Sequence, residues 1–180
     1  MSELSHAEQE VNEDDLVLRA KANDFRAYEQ LYHLHVGRVF ALCFRICGDR
    51  DMAEDLSQEA FVLAWRKLAN FRGDSAFGSW LYRIATNSTL SYLRKQKPFR
   101  NSLNIDDIEE ESRADHVDEQ INLELAISNL PDGARAVFVL YSLEGYTHDE
   151  IGTMLDIAQG TSKAQLHRAR KLLKEQLEAA

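Results

Sequence analysis

The sequence predicts an all-α protein made of two small helical domains joined by a flexible acidic linker. Three observations carry that reading. Among 180 residues there are only two prolines and eight glycines, with Leu, Ala, Glu, Arg and Lys abundant, a composition that favours helix nearly throughout. Apolar residues recur at spacings of three and four in two separate blocks. Between the blocks, the stretch NIDDIEEESRADHVDEQ has no sustained apolar stripe, the pattern of a solvated connector.

In the first block a short helix is expected around Leu16 to Ala20. Phe25, Tyr28, Tyr32, Val36, Val39, Cys43 and Ile46 then mark one long amphipathic helix, opened near Asn23 or Asp24 and stopped at Gly48. Asp51 with Glu54 gives a D-x-x-E start for a helix to about Leu68, with Phe61, Trp65 and Leu68 on its apolar side. A loop over 70–78 leads to a helix from Ser79 to about Lys97, ended by Pro98. The second block starts near Ile121. It has a short helix ended by Pro131, another from Ala134 to Leu143 with Val137, Leu140 and Tyr141 inward, and a capping box at Thr147 to Glu150. After a turn over 156–160, Thr161 is placed to cap a last helix reaching Leu177. Helix, short turn with Gly, helix is the helix-turn-helix pattern. The expected organisation is a tail over 1–13, domains over 14–98 and 121–180, and a linker over 99–120.

The formal net charge of −9 is unevenly distributed. Residues 1–15 carry −6, residues 16–100 carry +6, residues 101–124 carry −8 and residues 125–180 carry −1. The acidic balance therefore hides a basic block suited to nucleic acid. No apolar run is long enough to span a bilayer, and the polar, acidic N-terminus resembles neither a signal nor a transit peptide. A cytoplasmic protein without membrane insertion is expected. Cys43 and Cys47, the two cysteines, share one helix face, where a metal would be geometrically possible. Without a second pair they read better as buried thiols in a reducing compartment. No triad, Walker loop, HExxH or paired CxxC framework is present in the sequence. Neither catalysis nor a cofactor is expected, and the carboxylates at 106–111 lack spaced partners.

Two constellations remain. On the last helix, Leu166, Ala169, Leu173 and Leu177 form the apolar stripe, with Lys163, His167, Arg170, Lys171 and Lys174 opposite. The first turns of a recognition helix reach base edges, and here they hold Lys163, Ala164, His167 and Arg168. A solvated surface helix would carry similar lysines, but the capped two-helix unit before it favours DNA. The second constellation is FRGDSAFGSWLYRIATN at 71–87. Gly73 and Gly78 allow close backbone approach, Ser75 and Ser79 offer hydrogen bonds, and Asp74 can accept from an exocyclic amine. Arg83, Asn87, Ser91 and Arg94 line one polar, cationic stripe, while Trp80, Leu81, Ile84 and Tyr92 read as core. Such a loop suits an unstacked base.

The run DMAEDLSQEAFVLAWRKLANFRGDSAFGSWLYRIATNSTLSYLRKQ resembles region 2 of a bacterial RNA polymerase sigma factor, of the extracytoplasmic-function (ECF) group of the sigma-70 family. The run LPDGARAVFVLYSLEGYTHDEIGTMLDIAQGTSKAQLHRARKLL resembles its region 4. The resemblance implies a factor that binds core RNA polymerase through the β′ clamp helices and the β flap, binds promoter DNA, and is held by an anti-sigma factor. By this resemblance the DLxQExF pattern places Asp55, Gln58 and Glu59 on the clamp helices. Gly73, Asp74, Ser75, Ala76, Phe77 and Ser79 fall in the loop that captures a flipped −10 base. Arg83, Thr86 and Asn87 begin the helix beside the melted strand. Thr161, Lys163, Ala164, His167, Arg168 and Lys171 fall where the family reads the −35 duplex. In place of the common GTVKSR this chain has Gly160-Thr161-Ser162-Lys163-Ala164-Gln165. Ala164 removes a hydroxyl and Gln165 a cation, so fewer −35 contacts are expected. In the family the linker threads the polymerase cleft, where a −8 segment would mimic RNA. The rival readings are a stand-alone helix-turn-helix regulator and a helical protein that binds a partner without directing transcription.

Overall fold

The computed structural model describes residues 12–104 and 123–178, and among them the regular elements are all helical. The acidic cluster Asp106, Asp107 and Glu109 to Glu111 lies outside the described residues. The first unit holds α1 (Glu13–Lys21), α2 (Phe25–Cys47), α3 (Arg50–Lys67), α4 (Phe77–Lys95) and α5 (Lys97–Leu103). The second holds α6 (Leu123–Ser128), α7 (Asp132–Phe138), α8 (His148–Leu155) and α9 (Gln159–Glu178).

Side-chain caps open α1, α2, α3 and α8. Asn12 accepts from the amides of Asp14 and Asp15 to open α1, and Asp24 accepts from Arg26 and Ala27 to open α2. Gly48, at φ 71°, closes α2 in the left-handed conformation that glycine adopts without a Cβ penalty. The start of α3 differs from expectation. Asp49, not Asp51, is the cap, accepting from the Met52 amide at 2.8 Å, while Glu54 pairs with Arg50 at 3.5 Å. Asp49, two residues earlier, is the residue in extended conformation before the first turn, so its oxygen and not that of Asp51 takes the free Met52 amide.

Pro98 does not end the helical structure. Gln96 is extended, and Pro98 sits in the first turn of α5, where a missing N–H costs nothing. Helix α4 also begins earlier than expected, at Phe77, with no side-chain cap. In the second unit the single helix expected over 134–143 is α7 followed by a wider π-type turn, Val139–Leu143. Thr147 and Glu150 form the expected capping box. Asp156 turns left-handed (φ 57°), and α9 is already under way at Gln159, so Thr161 lies inside it rather than capping it.

Leu31, Val39, Ile46, Leu81 and Leu90 pack the centre of the first unit, and Ile127, Leu140, Ile151 and Leu166 that of the second. Cys43 and Cys47 are buried in the first core. Burial pushes the Cys43 thiol up to about 11, although Thr89 donates to its sulfur at 3.4 Å. A thiol held neutral in this way behaves as a small apolar side chain. Phe25, placed in the apolar stripe by spacing, is instead exposed at the start of α2 and lies against Trp65, ring centres 4.6 Å apart. Tyr92, Tyr141 and Leu177 are likewise more exposed than their spacing suggested.

The two units pack on each other. Arg135 of α7 is 4 % exposed, and its guanidinium spends all five N–H donors on oxygens. Nε donates to Ile46 O (3.3 Å), Nη1 to Ser128 O (3.3 Å) and Leu130 O (2.9 Å), and Nη2 to Cys47 O (2.7 Å) and Asp132 Oδ1 (2.6 Å). Those carbonyls close α2 and follow α6, where helix ends leave acceptors unpaired and the macrodipole is negative. Nearby, Arg45 of α2 grips Glu124 of α6 at 2.6 Å.

Candidate polymerase and DNA interfaces

Asp55, Gln58 and Glu59 are exposed on α3, one helical turn apart at most, while Leu56 and Ser57 between them face inward. Beside them a shallow groove of about 310 Å³ runs between α2 and α3, lined by Tyr32, Val36, Phe40, Glu54 and Gln58 among others. An acidic rim over an apolar floor suits a basic, amphipathic partner helix.

The loop before α4 is anchored at both ends. Phe71 is buried and its carbonyl accepts from Lys21 Nζ at 2.8 Å; Phe77 is 3 % exposed. Their rings meet edge-on at 6.0 Å, and Trp80 lies against both, at 5.0 and 5.7 Å. Between these anchors Arg72, Gly73, Asp74, Ser75 and Ala76 are all exposed. Gly73 takes φ 79° with nothing within 4 Å of a would-be Cβ, so the segment stands out into solvent on an aromatic base. Ser79, Arg83 and Asn87 continue the exposed face along α4.

Two residues assigned to that face by sequence lie inside it. Phe77 belongs to the aromatic base, and Thr86 is 1 % exposed with its hydroxyl donated to Tyr82 O at 2.9 Å. They support the surface rather than form it. Gly78 also serves packing: a Cβ there would lie 2.9 Å from His35 Cε1. His35 is in turn held between the Tyr82 hydroxyl (2.7 Å) and Glu13 (3.2 Å). Spacing alone also missed Arg38, an exposed cation 4.2 Å above the Tyr82 ring, and Lys21, which joins the loop from fifty residues away. Neither has a local signal, since both act across the bundle.

On α9, Lys163, His167 and Lys171 are exposed, and Thr161, Ala164 and Arg168 are half-buried. Gln165 corrects the reading of this helix. It is 1 % exposed, and its Nε2 donates to Ser102 O (2.9 Å) and Leu103 O (3.1 Å) of α5. Position 165 faces the other unit, so the missing cation there takes nothing from the outward surface in this packing. Behind α9, His148 shares a 2.9 Å hydrogen bond with Ser162 and stacks on Tyr141 at 4.4 Å.

Residues 31–99 match the family model for sigma-70 region 2, and residues 120–173 that for sigma-70 region 4. The chain is 33 % identical over 181 residues to RNA polymerase sigma-H factor of Pseudomonas aeruginosa, covering 92 % of this chain and 94 % of that one. It is 31 % identical to ECF RNA polymerase sigma factor SigW of Bacillus subtilis, over 89 % and 94 % of the two chains. With the ECF sigma-E factor of Escherichia coli it shares 32 % identity over 92 % and 94 %. Among solved structures it resembles CnrH in complex with the cytosolic domain of CnrY (TM-score 0.52, 27 % identity, 93 % and 99 % covered). It resembles equally the RpoE of Bartonella quintana in complex with the anti-sigma factor NepR (TM-score 0.52, 27 % identity, 84 % and 96 %). Two matched regions in order, with an all-helical fold around them, show that this chain belongs to the sigma-70 family as an ECF sigma factor, a protein that directs RNA polymerase to promoters.

Proposed function

We propose that the first unit captures the melted −10 strand and the second reads the −35 duplex, while Asp55, Gln58 and Glu59 dock on the β′ clamp helices. The observation that carries this is the exposed segment 72–76, raised between the buried anchors Phe71 and Phe77 and continued by Arg83 and Asn87. A base flipped from the stack needs a pocket of backbone and small polar groups beside cations for its phosphates, and this face supplies both. Capture of that base offsets part of the unpairing cost.

No step of bond making falls to this chain; nucleotidyl transfer belongs to the polymerase, and the site of action is the cytoplasm. Among the described residues no helix is long and apolar enough to cross a membrane. Two of the similar structures are complexes with CnrY and with NepR, which supports an anti-sigma partner here also.

Run-off transcription with purified core polymerase tests the assignment. The chain yields promoter-specific product, and Asn87→Ala lowers promoter opening about tenfold or more at unchanged core affinity. Equal opening by variant and parent would remove Asn87 from the strand-binding face. Absence of any promoter-specific transcript would favour a stand-alone regulator.

A further inference from the structure

Beside the base-reading turns of α9 lies a second cluster of titratable groups, centred on His148, the first residue of α8. Its ring is half-buried and held from two sides. Nδ1 lies 2.9 Å from the hydroxyl of Ser162, a fully buried residue of α9. The ring stacks on Tyr141, with centres 4.4 Å apart and planes at 20°. Arg170, about two turns along α9 from Ser162, reaches over the same tyrosine, its Cζ 5.8 Å from the ring centre. Lys163 follows Ser162 directly, and both cations are exposed. Nε2 of His148 makes no hydrogen bond among the described residues. Packing thus fixes the imidazole and leaves one of its nitrogens uncommitted.

The charges facing that ring are few. From α9 they are Lys163 and Arg170. On α8 itself Asp149 is exposed, while Glu150 is spent on the amide and hydroxyl of Thr147, at 2.8 and 2.9 Å. Tyr141 comes from the π-type turn; Glu144, which follows it, acts on Arg45 and Tyr82 of the first unit. Arg83, from α4, acts on Glu150. Burial first, and then Lys163 and Arg170, lower the pKa of His148, so the ring is neutral near pH 7. A phosphodiester seated against Lys163 and Arg170 removes their repulsion and adds an attraction of its own. Both effects favour the imidazolium.

We propose that His148, Lys163 and Arg170 form a phosphate-binding cluster on the backbone of the −35 duplex, and that His148 takes up a proton as the duplex binds. This rests on the reading of α9 as the −35 helix. It adds two contacts to that helix, His148 and Arg170, and it makes the hold on the backbone stronger as pH falls. The sign follows from linkage: a complex that binds more protons than its free parts gains affinity toward lower pH.

The test uses the full chain. Phosphate contacts carry no sequence information, so the probe is a fluorescent duplex of mixed sequence, about 20 base pairs long. Calorimetric titration at low salt, in buffers of different ionisation enthalpy, counts the protons. Near pH 6.5 the parent is expected to take up about 0.4 proton or more per duplex, and its affinity to rise about three- to tenfold from pH 8 to pH 6 at constant salt. His148→Gln abolishes the uptake and flattens the profile. His167 is the other imidazole on α9, and His167→Gln keeps both. Arg170→Gln, at an exposed position, lowers the uptake because less repulsion is left to cancel. Circular dichroism checks that each variant is folded; if His148→Gln loses helix, Arg170→Gln decides, and an uptake unchanged there would overturn the cluster. Binding without uptake, or uptake that survives in His148→Gln, overturns the proposal and leaves the −35 reading standing. A parent that binds no duplex at low salt defeats the reading of α9 itself.

Discussion

Arg135 is the residue on which most of the second unit's polar geometry converges, and lysine is not an equivalent there. Five oxygens surround a planar fork with five donors, whereas an ammonium offers three. Arg135→Lys leaves at least two acceptors unpaired in a site that is 4 % exposed. Each buried unpaired acceptor costs about 1–3 kcal/mol, so a loss of about 2–6 kcal/mol is expected, read as a lower urea midpoint. A midpoint within experimental error of the parent would show that water replaces the lost bonds. His148 gives a pH-dependent counterpart. Burial against its neighbours, and then the cations Lys163 and Arg170, push its pKa below the ordinary value. Its folded pKa is therefore below the unfolded one, so the unfolded chain binds more protons in the window between them. The contribution of His148 is then full above its unfolded value of about 6.5 and is lost as pH falls from there through the lower folded pKa. His148→Gln should flatten the dependence between pH 7 and 5; an unchanged slope would assign it to another group.

At the scale of elements, α9 carries the clearest electrostatic prediction. Lys171 lies 3.9 Å from Glu175 and Lys174 lies 3.7 Å from Glu178, both one turn on. Lys163, in the first turns, enters no ion pair among the described residues and is exposed. A cation already compensated by a carboxylate releases fewer counterions on meeting a phosphate. Lys163→Ala should therefore lower the salt slope of −35 duplex binding by about one, and Lys171→Ala by less. A slope unchanged from the parent in both variants would place both lysines away from phosphate. Most of these elements were legible in the sequence, for physical reasons that can be named. The spacing of Tyr32, Val39 and Ile46, the stop at Gly48 and the box at Thr147 are local signals, and each acts within one or two turns. What escaped was set by competition or by contact. Asp49 outcompeted Asp51 as a cap, Pro98 proved harmless in a first turn, and Phe25 stacked on a tryptophan forty residues away instead of entering the core. In the candidate strand-binding face, spacing pointed to Arg83 and Asn87, residue type to Gly73, Asp74 and Ser75, and the family resemblance to Ala76; all six are exposed. The inward turn of Phe77 and Thr86 did not, because it depends on which side of α4 the other helices cover.

Across the whole molecule, the feature least visible in the sequence is the docking of the two units. Arg135 carries no local signal, and Gln165 reads as a lost DNA contact, until α2 and α5 are brought beside them. This docking has a consequence for unfolding. The second unit is small, and a small core buries too little apolar surface to be robust alone. While docked, it shares buried hydrogen bonds with the carboxyl ends of α2 and α5, so losing either unit exposes the other's unpaired carbonyls. The parent should therefore unfold in a single calorimetric transition, with van't Hoff and calorimetric enthalpies equal. Gly133→Ala, whose added Cβ would lie 2.6 Å from Ser102 O of α5, should split it in two, the second unit melting first, because the clash removes the coupling while leaving each core intact. High salt should move the parent part of the way toward that behaviour by screening Arg45 and Glu124, which are partly exposed. The buried Arg135 bonds are screened little and hold most of the coupling. Two transitions in the parent at low salt, or one in Gly133→Ala, would show that the docked units do not stabilise each other.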